Sequence, residues 1–143
     1  MLVELQTYTL KSRSQALVEE RFEQALPERA KLSPLGGCWR TEVGVLNQLI
    51  VAWPYASLAE RDSVAAAAAR LQGWPPAIDE FVVERQSRIL TLAPFSPPLE
   101  PRLLGNLYEI RIYNYAPGQI PEVISAWSEI IAGRGSMAHR LPK

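Results

Sequence analysis

The order in which strand-like and helix-like patterns follow one another constrains the fold of this chain more than any other feature. Residues 2–10, LVELQTYTL, are rich in Val, Thr and Tyr and predict a strand. A helical pattern follows from Ser14, a candidate N-cap, to about Lys31, with apolar residues on one side and glutamates on the other. Pro27 lies inside this helix, and we expect it to kink the helix or to end its regular part.

Two further strands follow the first helix. Gly36 and Gly37 open one strand, which reaches about Val43, and residues 44–46 connect it to another over Asn47–Tyr55. This last strand does not alternate apolar with polar side chains, which indicates that both of its faces are covered. One face carries Leu49, Val51, Trp53 and Tyr55, and the other carries Gln48, Ile50 and Ala52.

A second helix and a fourth strand complete the pattern. Ser57 and Glu60 have the S-x-x-E spacing of a capping box, which predicts that a helix begins there. Gly73 and the following prolines end this helix, and a fourth strand is expected near Ser87–Leu92. The resulting order, βαββαβ, predicts an α+β domain of the ferredoxin-like type.

One face of such a sheet has no helix to cover it. We expect this open face to carry some of the large residues of Asn47–Tyr55 and to bury them against another sheet. The partner would be the same face of a second subunit, or a second repeat of the same protein. The alternative is a thicker core beneath the proline-rich segment that follows the fourth strand.

The chain also contains an internal repeat. VELQTY at Val3–Tyr8 aligns with YEIRIY at Tyr108–Tyr113, and the match continues at the same offset into a helical stripe. We therefore predict a complete repeat over residues 1–93, a proline-rich linker over 94–106, and a partial second repeat, a strand plus a helix, over 107–143. Either the chain is a fragment of a longer protein, or the half-repeat docks on another surface.

Composition excludes several classes of function. Fifteen basic and fifteen acidic residues give no net charge, which argues against a nucleic-acid partner. The single Cys38 and the single His139 lie far apart, so no zinc site and no other metal site is expected. No apolar run is long enough to span a membrane, and no signal peptide is visible, so a soluble, cytoplasmic protein is predicted.

Three stretches of the sequence resemble the NIPSNAP family of the dimeric α/β-barrel superfamily. They are ELQTYTL, TEVGVLNQLIVAWPYASLAER and SRILTLAPFSP, and the resemblance covers most of residues 3–97. It implies a homodimer in which two sheets enclose a shared barrel. It implies no settled enzymatic activity, and it is closer to a bacterial-type member because no Arg-rich mitochondrial presequence is present.

The resemblance also suggests where a ligand would bind. Related superfamily members include cofactor-independent monooxygenases and haem-binding enzymes, but His139 lies outside the complete repeat, so no haem or other cofactor is expected. An aromatic wall with a few polar groups would suit a small apolar or aromatic ligand, although core packing also explains the aromatic residues and turn chemistry explains the polar pair beside Gly44. The candidate ligand-binding residues are Tyr8, Trp39, Glu42, Asn47, Trp53, Tyr55 and Arg88, and no catalytic residue is assigned.

Two functional hypotheses from different classes remain open at this point. The first is a non-catalytic module that binds a small molecule or another protein. The second is a cofactor-independent monooxygenase or isomerase that acts on a small aromatic or polyketide-like substrate. A polar cluster in a dry pocket would favour the second, and an interior filled with side chains would favour the first. Glu4 is expected to form a structural ion pair with a strand-borne arginine, Arg40 or Arg88.

Overall fold

The computed structural model describes residues 1–100 and 105–138, without the side chains of 133–138. The predicted order of elements is confirmed over the first repeat. The elements are β1 (Leu2–Leu10), α1 (Gln15–Ala30), β2 (Gly37–Arg40), β3 (Gln48–Tyr55), α2 (Leu58–Ala68), a 3-10 helix (Asp79–Phe81), β4 (Val82–Thr91) and α3 (Ile120–Ala138).

The four strands form one antiparallel sheet in the order β2-β3-β1-β4. β1 is central, so its residues Leu2–Thr9 have partners on both sides: Glu4 lies opposite Trp53 of β3 and opposite Ile89 of β4. This strand order, with both crossover helices on one face, is that of a ferredoxin-like α+β domain.

The helices pack on the sheet face that carries the large residues of β3. Leu49, Val51, Trp53 and Tyr55 are all buried there, in one core with Val18 of α1 and other residues. The four large residues of one β3 face therefore lie beneath the helices, and Ile50 is the large residue of this strand that the open face carries. Alternation shows which side chains share a face, but it cannot show which face receives the helices.

The side chains on the open face of the sheet are smaller than those on the helix-covered face, but most of them are still apolar. The register places Val3 and Leu5 of β1 beside Ala52 and Pro54 of β3 on this face, with Ile50 one pair further along. Val3 and Ala52 are only 3% and 2% exposed, so the chain itself covers this part of the face, whereas Leu5 and Ile50 are half-buried. β4 adds longer and more polar side chains, which include Gln86 and Arg88.

The predicted helix caps and the predicted helix break at Pro27 had different outcomes in α1 and α2. At α2 the Ser57 hydroxyl accepts a hydrogen bond from the Glu60 amide at 3.2 Å, which confirms the predicted cap. At α1 the Ser14 hydroxyl instead donates to the Lys11 carbonyl at 2.7 Å and caps no amide. α1 continues through Pro27 to Ala30, so this proline does not end the helix.

The described residues form two compact units. The first contains residues 1–92 with 98–100, and the second contains 93–97 with 105–138. The second unit includes α3, and the described residues of this unit that precede α3 form no strand. The linker and the partial second repeat remain predictions, and their residues 101–104 and 139–143 lie outside the described part of the chain. No helix in the described part is long and apolar enough to cross a membrane.

Candidate functional site

A cleft of about 190 Å³ lies between α1 and the edge of the sheet formed by β2 and β3. Phe22 and Leu26, one helical turn apart on α1, form one wall of this cleft, which we call the α1 cleft. The sheet supplies the other wall. Together the lining residues are Glu19, Phe22, Glu23, Leu26, Leu35, Cys38, Leu49 and Val51.

The sequence around β2 explains why space remains at this edge. Cys38 is the β2 residue that pairs with Val51, and its small side chain lies on the face toward α1. Trp39 points to the opposite face, where its ring lies over Gly37: a Cβ atom at Gly37 would come within 2.2 Å of the indole. The largest side chain of β2 is therefore directed away from the α1 cleft.

The rim of the α1 cleft carries an incompletely paired carboxylate. Oε1 of Glu19 is buried and has no hydrogen-bond partner in the described part of the chain. Oε2 of Glu19 lies 4.0 Å from Nη1 of Arg40, at the limit of an ion pair. Arg40 is engaged more closely by Glu42, with Nε and Oε1 2.6 Å apart. Glu42 thus neutralises Arg40, the arginine that approaches Glu19 in the described part of the chain.

The thiol of Cys38 is neutral at physiological pH. Burial of its surroundings raises the pKa of Cys38 to about 11, and the negative charge of Glu19 adds to the increase. Cys38 itself is exposed at the edge of the sheet. Cys38 therefore presents a small neutral surface to the cleft rather than a thiolate nucleophile.

A second polar cluster surrounds Glu4 on the helix-covered face. Glu4 is 2% exposed, and its carboxylate accepts from Arg61 Nε at 3.0 Å and Nη2 at 2.8 Å, from the Ser87 hydroxyl at 2.7 Å and from the Gln6 amide at 3.2 Å. Burial alone would raise the pKa of Glu4, but these hydrogen bonds outweigh it and hold the pKa below its ordinary value. Glu4 is therefore a saturated carboxylate and a weak base. The expected partners Arg40 and Arg88 were wrong, because Arg61 of α2 reaches Glu4 instead.

A third cluster surrounds Arg29, which sequence reasoning missed. Arg29 is 4% exposed and donates to the Ser33 hydroxyl at 3.0 Å and to the Tyr55 hydroxyl at 2.9 Å. Its guanidinium lies 4.0 Å from the ring centre of Trp53 and 5.7 Å from that of Trp74. The signal was present in the sequence, because Arg29 follows Phe22 and Leu26 of the apolar stripe by seven and three residues.

The seven predicted ligand-binding residues do not come together. Tyr8, Trp53 and Tyr55 are buried in the core beneath the helices. The register places Trp39 and Arg88 on the open face, beside Ile50 and Leu5 respectively. Glu42 and Asn47 lie in the β2–β3 connection, where Asn47 adopts a left-handed backbone with φ of 58°.

The residues that line the α1 cleft were not among the candidates. Their types are ordinary for a helix stripe and a half-buried strand, so the sequence gives no signal that distinguishes them from core. In the described ranges, no three His, Cys, Asp or Glu side chains cluster as metal ligands would. His139 lies outside those ranges.

An antiparallel sheet with two helices on one face, and a small apolar cleft beneath the first helix, define this chain as a ferredoxin-like α+β domain. The family model for NIPSNAP matches residues 3–97. The chain belongs to the NIPSNAP family.

Solved structures agree with this assignment. An uncharacterized NIPSNAP-like domain protein from Burkholderia xenovorans is 30% identical, with a TM-score of 0.63 over 70% of this chain and 91% of that one. A second NIPSNAP domain protein from the same organism is 25% identical, with a TM-score of 0.65 over 68% of this chain and 100% of that one. A NIPSNAP family protein from Agrobacterium tumefaciens is 28% identical, with a TM-score of 0.63 over 67% and 96%.

More distant structures share the fold alone. A putative antibiotic biosynthesis monooxygenase from Nitrosomonas europaea is 12% identical, with a TM-score of 0.53 over 64% of this chain and 97% of that one. A comparison with curated proteins found no significant match.

Proposed function

We propose that this chain is a non-catalytic binding module that takes a small apolar molecule in the α1 cleft. The observation that carries the proposal is the lining of the cleft, where Phe22, Leu26 and Leu35 face a neutral thiol and the β3 side chains. Dry cavities of comparable size, about 150 Å³, that are lined by Leu, Ile and Phe bind molecules such as benzene. A single-ring or short-chain molecule suits the volume of about 190 Å³.

The alternative, a cofactor-independent monooxygenase or isomerase, has weaker support. It would need a group that can accept a proton from the substrate close to a pocket. Glu4 already accepts hydrogen bonds on both carboxylate oxygens and has a lowered pKa, so it is a poor base. Burial raises the pKa of Tyr8, whose hydroxyl donates to Gln6. The resemblance to the putative monooxygenase extends to the fold only.

The binding proposal can be tested with indole as a neutral apolar probe. Leu26→Trp should fill the α1 cleft and abolish binding of indole, because Leu26 lines the cleft. Leu17→Trp is the matched control, since Leu17 lies on the same helix, is 39% exposed and does not line the cleft. Equal affinities of the two variants for indole would contradict the proposal.

We also propose that two copies associate through the open face of the sheet. Leu5 and Ile50 remain half-buried on this face, which neither α1 nor α2 covers, whereas Val3 and Ala52 are already buried within the chain. Ile50→Lys should convert a dimer into a folded monomer in light scattering after size-exclusion chromatography, whereas Leu17→Lys should not. A strictly monomeric wild-type protein would contradict this part of the proposal. The cytoplasmic location stays a prediction.

A further inference from the structure

The fourth strand forms an edge of the sheet that the described part of the chain leaves uncovered. β4 stands last in the strand order, and its residues 83–91 are all exposed, so no described strand or helix covers its outer side. Natural edge strands are usually protected by lysine, proline or a bulge. β4 contains no lysine and no proline, and its register shift lies at its first residues, before Glu84. Residues 84–91 therefore present a row of backbone donors and acceptors to a partner.

The sequence of β4 is complementary to itself in the antiparallel direction. When a two-fold axis passes at Gln86, Glu84 of each copy lies opposite Arg88 of the other. Opposite charges at directly opposed positions stabilise a sheet, and here the pair occurs once on each side of the axis. Val83 and Ile89, which are 65% and 46% exposed, also lie opposite each other at the two ends of this contact.

Neighbouring alignments lack this complementarity. The outward backbone groups of a strand belong to alternate residues, so the axis must pass at a residue rather than between two. An axis at Arg85 would place two arginines opposite each other. An axis at Ser87 would place Glu84 opposite Leu90. The alignment about Gln86 is therefore favoured over both.

The charged residues of this alignment are available to a partner. Gln86 lies between them in the same strand: it donates to Glu84 at 2.8 Å and accepts from Arg88 at 3.3 Å. Both charged side chains are exposed. Arg85 is instead held by Asp79, with Nη2 and Oδ1 3.2 Å apart, so it brings a neutralised charge to the contact.

We propose that two copies of this chain pair edge to edge along β4, about a two-fold axis at Gln86, and so join their sheets into one. This contact goes beyond the proposed function, since it uses a different surface from the open face and does not depend on it. An edge contact buries little side-chain area. It is therefore weaker than the open-face contact, with a dissociation constant on the order of 100 µM.

The first test exchanges the two charges in the Ile50→Lys background, where the open-face contact is removed, at protein concentrations up to about 1 mM. Glu84→Arg and Arg88→Glu each place like charges opposite each other on both sides of the axis. Each should raise the dissociation constant, measured by sedimentation equilibrium, roughly tenfold. The double variant Glu84→Arg/Arg88→Glu restores opposite charges and should pair within about threefold of the parent protein.

A second test reports the alignment itself and needs no change at the open face. With Cys38 replaced by serine, Gln86→Cys should form a disulfide between two copies under mild oxidation, because the axis brings the two cysteines opposite each other. Thr91→Cys is the matched control. Thr91 is exposed at the far end of the same strand, where the alignment separates the two cysteines by roughly 30 Å.

The outcomes separate this inference from the open-face association. Equal dissociation constants for the single and double charge variants would overturn the edge contact. It would also be overturned if the Ile50→Lys protein stayed monomeric at about 1 mM, or if Gln86→Cys cross-linked no faster than Thr91→Cys. None of these results would affect the open face, whose own test is the assembly of the wild-type protein at lower concentration.

Discussion

The guanidinium of Arg61 holds the carboxylate of Glu4 in a two-pronged ion pair across the core, with Nε–Oε2 and Nη2–Oε1 distances of 3.0 Å and 2.8 Å. Glu4 lies on the central strand β1 and Arg61 on α2, so the pair joins the middle of the sheet to the second helix. The Glu4 side chain is 3% exposed and that of Arg61 is 32% exposed. Glu4 is therefore much more deeply buried than Arg61, and replacing one or the other should change the free energy of unfolding by different amounts.

Replacing Arg61 should destabilise the fold more than its surface position suggests. Arg61→Ala leaves the buried Glu4 carboxylate without its main partner, and we expect a loss of about 2–4 kcal/mol in the free energy of unfolding. The expected loss is smaller than the largest losses measured for fully buried ion pairs, because water can partly replace the half-exposed Arg61. Urea denaturation measures the loss. Arg70→Ala, an exposed change next to the end of α2, should cost less than about 0.5 kcal/mol, and equal losses would contradict the assignment.

Glu4 should also make the stability depend on pH. Its pKa is lowered in the folded state, so its contribution is present above the pKa of the unfolded chain and is lost as the pH falls through the folded value. We expect the wild-type protein to lose stability more steeply than Glu4→Gln below about pH 4.5. Unfolding free energies measured from neutral pH to pH 3 test this. Parallel curves for the two proteins would show that Glu4 is not the group responsible.

Trp53 should matter for stability rather than for ligand binding. It is 1% exposed, packs against the guanidinium of Arg29 and does not line the α1 cleft. Trp53→Ala should cost about 3–5 kcal/mol. Trp53→Phe keeps a ring beside Arg29 and should cost roughly 1–2 kcal/mol. Denaturant unfolding and a titration with indole should be run on the same samples, since normal folding of Trp53→Phe with loss of binding would instead place Trp53 in the site.

Cys38 should react slowly with alkylating reagents in the folded protein. A pKa of about 11 leaves it far less ionised than an ordinary thiol at pH 8. The greater nucleophilicity of a more basic thiolate offsets part of this, so the rate with iodoacetamide should be roughly tenfold below that of the urea-unfolded chain. Indole should slow the reaction further if it occupies the α1 cleft. A folded rate equal to the unfolded rate would contradict the burial of the thiol surroundings.

The helices and strands of the first repeat could be predicted because they depend on residues that are close together in the sequence. The capping box at Ser57 and Glu60 was correct because it depends on residues three positions apart. The fourth strand was placed near Ser87–Leu92 but covers Val82–Thr91. Just before the predicted start, Glu84, Arg85 and Gln86 are polar and exposed, so this part of the strand lacks the apolar alternation by which a strand is recognised.

The site was harder to predict because it depends on how distant elements pack. The partner of Glu4 is Arg61, which the sequence separates from it by a helix and two strands, and only the position of α2 brings them together. The α1 cleft likewise arises where α1 passes over Cys38 at the sheet edge. No spacing in the sequence encodes a gap between two such surfaces.

The location of a bound probe tests the central claim most directly. In nuclear Overhauser spectra of the protein with indole, we predict contacts from the indole protons to the methyl groups of Leu26, Leu35 and Val51, which all line the α1 cleft. The Leu26→Trp variant should lose these contacts, and Leu17→Trp should keep them. Indole contacts confined to Leu5 and Ile50 of the open face would contradict the account.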